Sequence, residues 1–102
     1  MMTARRLLAK NIAFLRKSMG MTQTDLAKKI GFKKSTVGAY EESRSCPSID
    51  TIIKLSDLFS VSIDDLLKLD IKQSRAWQDE LVIKEFPNGT RMVFVPLKEF
   101  ND

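Results

Sequence analysis

Gly20-Met21-Thr22-Gln23-Thr24-Asp25-Leu26-Ala27, followed by Ile30-Gly31 and then Ser35-Thr36-Val37, is the stretch that decides how this chain folds. Thr22 supplies a hydroxyl at a helix start and Asp25 a carboxylate three residues on, a capping box in which Asp stands for the usual Glu. A short helix follows as far as Ile30, and Gly31 can take the positive φ with which a chain leaves a helix abruptly. Phe32 begins a tight turn, and residues 35–42 read as another helix whose Val37 and Tyr40, three apart, face inward. Ala27 is small at the point where the two helices would cross, which permits a close corner between them.

Working outward toward the N-terminus, Leu8, Ile12, Leu15 and Met19 recur at spacings of four, three and four, so Arg5 to Met19 form an amphipathic first helix that Gly20 ends. Toward the C-terminus, Gly38 weakens the third helix by about 1 kcal/mol relative to Ala. Residues 43–47 are a loop by composition, and Ser48 is a good N-cap for a fourth helix. That helix carries Ile49, Ile52, Ile53, Leu55, Leu58 and Phe59, the expected hydrophobic centre. Ser62 caps a short fifth helix, Ile63 to Leu67, with Asp64 and Asp65 near its positive end.

After Leu69 the pattern changes. Gln73 to Gln78 form a polar connector, while residues 80–86 and 91–97 are rich in Val, Ile, Phe and Met and are joined by Pro87-Asn88-Gly89-Thr90. Asn-Gly is a strong hairpin signal. With Asn88-Gly89 as a two-residue loop, Ile83 falls opposite Phe94 and Glu85 opposite Met92. Leu81, Ile83, Met92 and Phe94 then share one face, and Val82, Val93, Val95 and Leu97 the other. Both are apolar, and an isolated hairpin is marginal in water, so it needs a second surface: the helical domain, another copy of the chain, or a domain not present here. The fold class is therefore mainly α, with a five-helix domain over residues 1–69, a linker over 70–79 and a β-hairpin tail over 80–102 as the expected dimerisation element.

Composition narrows the function. A chain of 102 residues, 43% apolar and 29% charged, is expected to fold as one small domain with an appendage. It contains no histidine and one cysteine, Cys46, which removes the usual zinc sites, the histidine-based triads and an internal disulfide. No enzyme, cofactor or metal is expected. Its apolar runs fall far short of the roughly 18 residues that a membrane span requires, and a cytoplasmic protein is expected. Charge is uneven: up to Arg44 there are ten basic residues against three acidic, a net of +7, and the remainder carries −3. Such asymmetry suits a polyanionic partner.

The quoted stretch, together with Asn11-Ile12-Ala13-Phe14-Leu15-Arg16, Tyr40-Glu41 and Pro47-Ser48, closely resembles the phage repressor and Cro-like helix-turn-helix family, with its spacing kept from about Arg5 to Leu69. The resemblance implies a double-stranded DNA-binding transcriptional regulator, expected to be a repressor, whose third helix enters the major groove. Carried over by position, the DNA-contacting residues are Lys34, Ser35, Gly38 and Ala39 as base readers, Lys33 at the helix entrance, Thr36 and Gln23 near phosphates, and Arg44 and Ser45 on the following loop. Lys34 can donate to guanine O6 and N7, whereas Gly38 and Ala39 have almost nothing to read with. Many relatives carry Ser or Thr where Lys33 stands, so the first turn is expected to fray. Arg16 and Glu41 occupy positions that in relatives form a partly buried ion pair. Because a lone helix-turn-helix domain offers too few base contacts for selective binding, a homodimer held at least partly by the hairpin, on an inverted-repeat operator, is expected. Two alternatives stay open: the antitoxin of a toxin-antitoxin pair, with the toxin as protein partner, and the front of a longer LexA-like repressor, because Val93-Phe94-Val95-Pro96-Leu97 is similar to the start of that family's C-terminal domain.

Overall fold

The computed structural model describes residues 2–74 and the backbone of residues 83–85 and 91–93. Among these, five helices run in order: α1 (Ala4–Ser18), α2 (Gln23–Ile30), α3 (Lys34–Glu41), α4 (Ile49–Phe59) and α5 (Ile63–Lys68). No helix among the described residues is long and apolar enough to cross a membrane.

Local chemistry sets each boundary. The Asp25 amide donates to Thr22 Oγ1 at 3.0 Å and the Thr22 amide to Asp25 Oδ2 at 2.9 Å, closing the capping box on α2. Gly31, at φ 79°, ends that helix in the left-handed conformation, and the Phe32 amide reaches back to the Ala27 carbonyl at 2.8 Å. Ser48 and Ser62 accept from the Thr51 and Asp65 amides at the starts of α4 and α5. The start of α3 has no such bond: Lys33 is its N-cap and offers no side-chain acceptor.

Leu8, Ile12 and Leu15 of α1, Leu26, Ala27 and Ile30 of α2, Val37 and Tyr40 of α3, Leu55 and Phe59 of α4 and Leu66 of α5 meet in one core. The expected composition of α4 needs correction. Leu55 and Phe59 are fully inside, Ile52 and Leu58 are half-buried, and Ile53 and Ile49 are exposed, Ile49 by 77%. The inward stripe runs Thr51, Leu55, Phe59 at intervals of four, which turns Ile49 and Ile53, also four apart, toward solvent. Thr51 tolerates burial because its hydroxyl lies 3.0 Å from Ser48 Oγ.

The core also extends past the expected end of the domain at Leu69. Ile71 is fully buried, and its amide donates to Oδ1 of the equally buried Asn11 at 3.1 Å. The Asn11 amide group donates to the Leu66 and Leu69 carbonyls at 2.9 and 2.7 Å. One side chain of α1 thus satisfies the carbonyls freed at the end of α5 and fixes the chain as it leaves the helix. Lys10 and Asp70, 2.8 Å apart, reinforce the same join.

Farther on, β1 (Ile83–Glu85) and β2 (Arg91–Val93) pair antiparallel. Ile83 lies opposite Val93 and Glu85 opposite Arg91, one residue away from the expected register of Ile83 with Phe94 and Glu85 with Met92. In the expected register Pro87 flanks a two-residue loop in a hydrogen-bonded pair, a place that asks for an N–H that proline lacks. The observed pairing leaves five residues between Glu85 and Arg91. The rest of the connector, the Asn88-Gly89 turn, and Leu81, Val82, Phe94, Val95 and Leu97 lie outside the described residues.

Candidate nucleic-acid interface

The sharp exit at Gly31 swings the chain through Phe32 and Lys33 into α3, and Phe32 packs edge-on against Tyr40 with ring centroids 6.3 Å apart. This brings Lys33, Lys34 and Ser35 together at one exposed end of α3. Thr36 and Ala39 are half-buried, and Gly38 is buried. α3 begins at Lys34, one residue earlier than the sequence suggested. The Thr36 and Val37 amides both turn to the Lys33 carbonyl, at 3.0 and 3.3 Å, so the first turn is closed by backbone alone. None of the ion pairs among the described residues engages Lys33 or Lys34. The result is two exposed ammonium groups and a hydroxyl at the positive end of a helix dipole, an arrangement suited to anionic and acceptor-rich surfaces.

What holds α3 in place lies beneath it. Arg16 Nε meets Glu41 Oε2 at 2.6 Å, and Arg16 Nη2 meets Glu41 Oε1 at 3.1 Å, the two-point geometry of a strong guanidinium-carboxylate pair. The side chains are only 10% and 8% exposed. Arg16 Nη1 also donates to the Met21 carbonyl at 2.7 Å, tying α1 to the turn before α2. Gln23, the first residue of α2 and half-buried, donates from Nε2 to Glu41 Oε1 at 3.0 Å. Glu41 therefore joins three helices at one carboxylate. The sequence suggested the Arg16–Glu41 pair through resemblance, but not the engagement of Gln23.

On the loop beyond α3, Arg44 and Ser45 are exposed, and their amides both donate to the Ala39 carbonyl, at 2.9 and 3.2 Å. Ser43 takes a left-handed φ of 60° to make that turn. Arg44 pairs with Glu42 at 3.2 Å, with both side chains in water. The hydrogen bond from Arg44, and then its charge, hold the Glu42 carboxyl below the usual glutamate range, and the same contacts raise Arg44. Gln23, Lys33, Lys34, Ser35, Thr36, Gly38 and Ala39 thus lie on α2 and α3 and the turn between them, with Arg44 and Ser45 just past the far end of α3. Sequence reasoning missed Asn11 and the Glu42–Arg44 pair. A polar residue among the apolar positions of α1 was the one available signal for Asn11. Among the described residues no group of acidic and cysteine side chains could hold a metal ion, and Cys46 is exposed.

The helix-turn-helix family HTH_3 matches residues 12–66, which takes in α2, the turn and α3 entire. The HTH-type transcriptional regulator ImmR of Bacillus subtilis is 30% identical over 101 residues, covering 93% of this chain and 80% of ImmR. Another B. subtilis protein, the uncharacterized HTH-type transcriptional regulator YobD, is 42% identical over 55 residues, or 54% of this chain, and the chain spans only 49% of its length. Among solved structures, the P22 c2 repressor, crystallised in complex with synthetic operator 9T, superposes with a TM-score of 0.58 at 28% identity, covering 62% of this chain and 96% of the repressor chain. Matched across its two central helices and the turn between them, and similar to ImmR along nearly its whole length, the chain belongs to the helix-turn-helix family of DNA-binding transcriptional regulators.

Proposed function

We propose that this protein is a sequence-specific repressor that binds double-stranded operator DNA by inserting the start of α3 into the major groove. The observation that carries the reading is the exposed trio Lys33, Lys34 and Ser35, whose lysines have no ion-pair partner among the described residues, at the start of a helix clamped from below by a buried guanidinium-carboxylate pair. A recognition element has to be exposed and held in place: the start of α3 is exposed, and the Arg16–Glu41 pair ties the helix to α1. Lys34 and Ser35 read base edges, with Lys34 suited to guanine O6 and N7. Ala39 and Gly38 line the groove-facing helix without donors or acceptors of their own. Lys33, Thr36, Arg44, Ser45 and the N-terminus of α2 at Gln23 bind phosphates and set the register of the helix. Arg44 reaches a phosphate by exchanging its bond to Glu42.

The working species in this reading is a cytoplasmic homodimer on an inverted repeat, with half-site centres about 10 base pairs apart so that two α3 helices enter successive major grooves. The helical domain, residues 1–69 with its core continued to Ile71, binds DNA; residues 70–79 link it to a hairpin tail, 80–102, that joins the two copies. Selection of bound fragments from a random DNA pool, followed by affinity measurements across salt, tests both parts. A single palindromic motif is expected, with affinity falling by about 0.9 in log-log slope for each phosphate neutralised. No enriched sequence and a flat salt response overturn the reading. Removing residues 75–102 should leave a folded domain that binds the full palindrome much more weakly, and equal binding excludes the tail as the clasp.

A further inference from the structure

Two arginines stand where a helix disfavours them. Arg5 and Arg6 fall in the first turn of α1, at the positive end of its dipole, and that turn holds no acidic residue. Thr3 caps the helix by accepting from the Arg6 amide at 3.2 Å, so the start of α1 forms in spite of the two cations. Both arginines are exposed, and neither has an ion-pair partner among the described residues. They line a cleft of about 650 Å³ whose other wall is the end of α3, with Glu41, Glu42 and Ser43. The remaining charges on the cleft are already matched: Lys10 by Asp70 at 2.8 Å, Glu41 by Arg16 at 2.6 Å and Glu42 by Arg44 at 3.2 Å. Arg5 and Arg6 are therefore its uncompensated charge.

We propose that this cleft is a phosphate-binding site, in which Arg5 and Arg6 hold the DNA backbone beyond the stretch that α3 and Arg44 engage. The inference rests on the reading of Arg44 and Ser45 as phosphate contacts. Ser43, on the wall across from the arginines, is followed directly by those two residues. A strand presents one phosphate charge about every 3.4 Å of helix axis, so a backbone bound at Arg44 has further phosphates within reach of the cleft. A guanidinium takes a phosphate through two parallel N–H bonds, which suits arginine to that contact. When Arg44 exchanges Glu42 for a phosphate, one carboxylate on the cleft is freed, and the two arginines still outnumber it. The contact adds affinity and fixes register but carries no sequence information, because the backbone is alike at every base pair.

The test uses the full chain and the DNA motif that it selects, with affinity measured across salt and stability by urea unfolding. The variant is the double replacement Arg5→Gln with Arg6→Gln, and Lys17→Gln with Lys54→Gln removes the same charge from exposed positions elsewhere. Loss of one phosphate contact lowers the log-log salt slope by about 0.9, which amounts to roughly an eightfold loss of affinity at 0.1 M salt relative to 1 M. That loss is expected to be the same for the selected site and for versions altered one base pair at a time. Stability should stay level or rise, because two cations leave the positive end of a helix; a structural role moves affinity and stability down together. Ethylation of single DNA phosphates should interfere with wild type at one backbone position where it no longer affects the arginine variant. An unchanged slope and interference pattern overturns the proposal, as does an equal loss from the lysine variant or a loss confined to one base pair. A flat salt response from wild type itself refutes the DNA-binding reading, and the proposal falls with it.

Discussion

Replacing Arg16 by Met and Glu41 by Leu, singly and together, is the sharpest probe of the fold, because the two charges are almost out of water and each is the main partner of the other. Two unit charges about 4 Å apart attract by about 4 kcal/mol at an effective dielectric near 20, and much of that gain offsets the cost of removing both from solvent. Glu41→Leu strands the guanidinium with only the Met21 carbonyl at 2.7 Å, and Arg16→Met strands the carboxylate with only the Gln23 amide at 3.0 Å. Each single change should cost about 3–5 kcal/mol. Simple addition then predicts a loss of about 6–10 kcal/mol, comparable with the whole stability of a domain this size. The double variant instead buries two apolar side chains of similar volume and leaves no unpaired charge, so its loss should stay below about 2 kcal/mol, less than either single variant. Urea unfolding followed by far-UV circular dichroism gives the three values. A double variant whose loss equals the sum of the singles means that the pair seen at 2.6 Å carries no coupling, and the account of how α3 is clamped fails.

Asn11→Ala removes the partner of the Leu66 and Leu69 carbonyls and of the Ile71 amide, and should cost about 3 kcal/mol by the same measurement. Asp25 is held below its ordinary value near 3.8 by the backbone N–H of Thr22 first and the Thr22 hydroxyl second. Its ionised form therefore adds stability that is fully present above that value and is lost as pH falls through the lowered one, so Asp25→Asn should be less stable than wild type near neutrality and converge with it in acid. A stability gap that widens toward low pH contradicts the capping box. Lys33→Ser supplies the absent N-cap acceptor and should stabilise the domain by about 0.5–1 kcal/mol while reducing the log-log salt slope of DNA binding by about 0.9. A gain in both stability and affinity means that Lys33 does not meet DNA.

Helix existence was legible because its signals are local. The Thr22 and Asp25 cap, the Gly31 exit and the Leu8-Ile12-Leu15 stripe each act within one or two turns, and the structure has them all. What was not legible depends on groups far apart in sequence. Asn11 looked like one residue of a familiar pattern, but its partners are backbone groups 55 to 60 residues away, which leave no side-chain signature. Ile71 stood beside a polar connector, and nothing local distinguishes a buried isoleucine there from an exposed one. In α4 apolar side chains fall on the outward as well as the inward face, Ile49 and Ile53 on one and Leu55 and Phe59 on the other, so counting apolar residues could not choose between Leu55 and Ile53. The Gln23 amide over Gly38 was hidden for the same reason: the glycine is on α3, and what covers it belongs to α2.

The distribution of charge gains meaning only once the pairs are known. Of the ten basic residues up to Arg44, Lys10, Arg16 and Arg44 are engaged with Asp70, Glu41 and Glu42. Those pairs draw on α1 and on the loop beyond α3, and leave both lysines at the start of α3 without an ion-pair partner among the described residues. At physiological salt a charge acts over about 8 Å, so net charge counts less than which cations stand within that distance of the partner. At the start of α3, Lys33 and Lys34 add to the positive end of the helix dipole instead of opposing it. An N-cap serine there would complete the helix and remove one of those charges. That the chain carries lysine at this position, with the first turn closed by backbone bonds alone, fits a surface in which some helix stability is exchanged for attraction to phosphate.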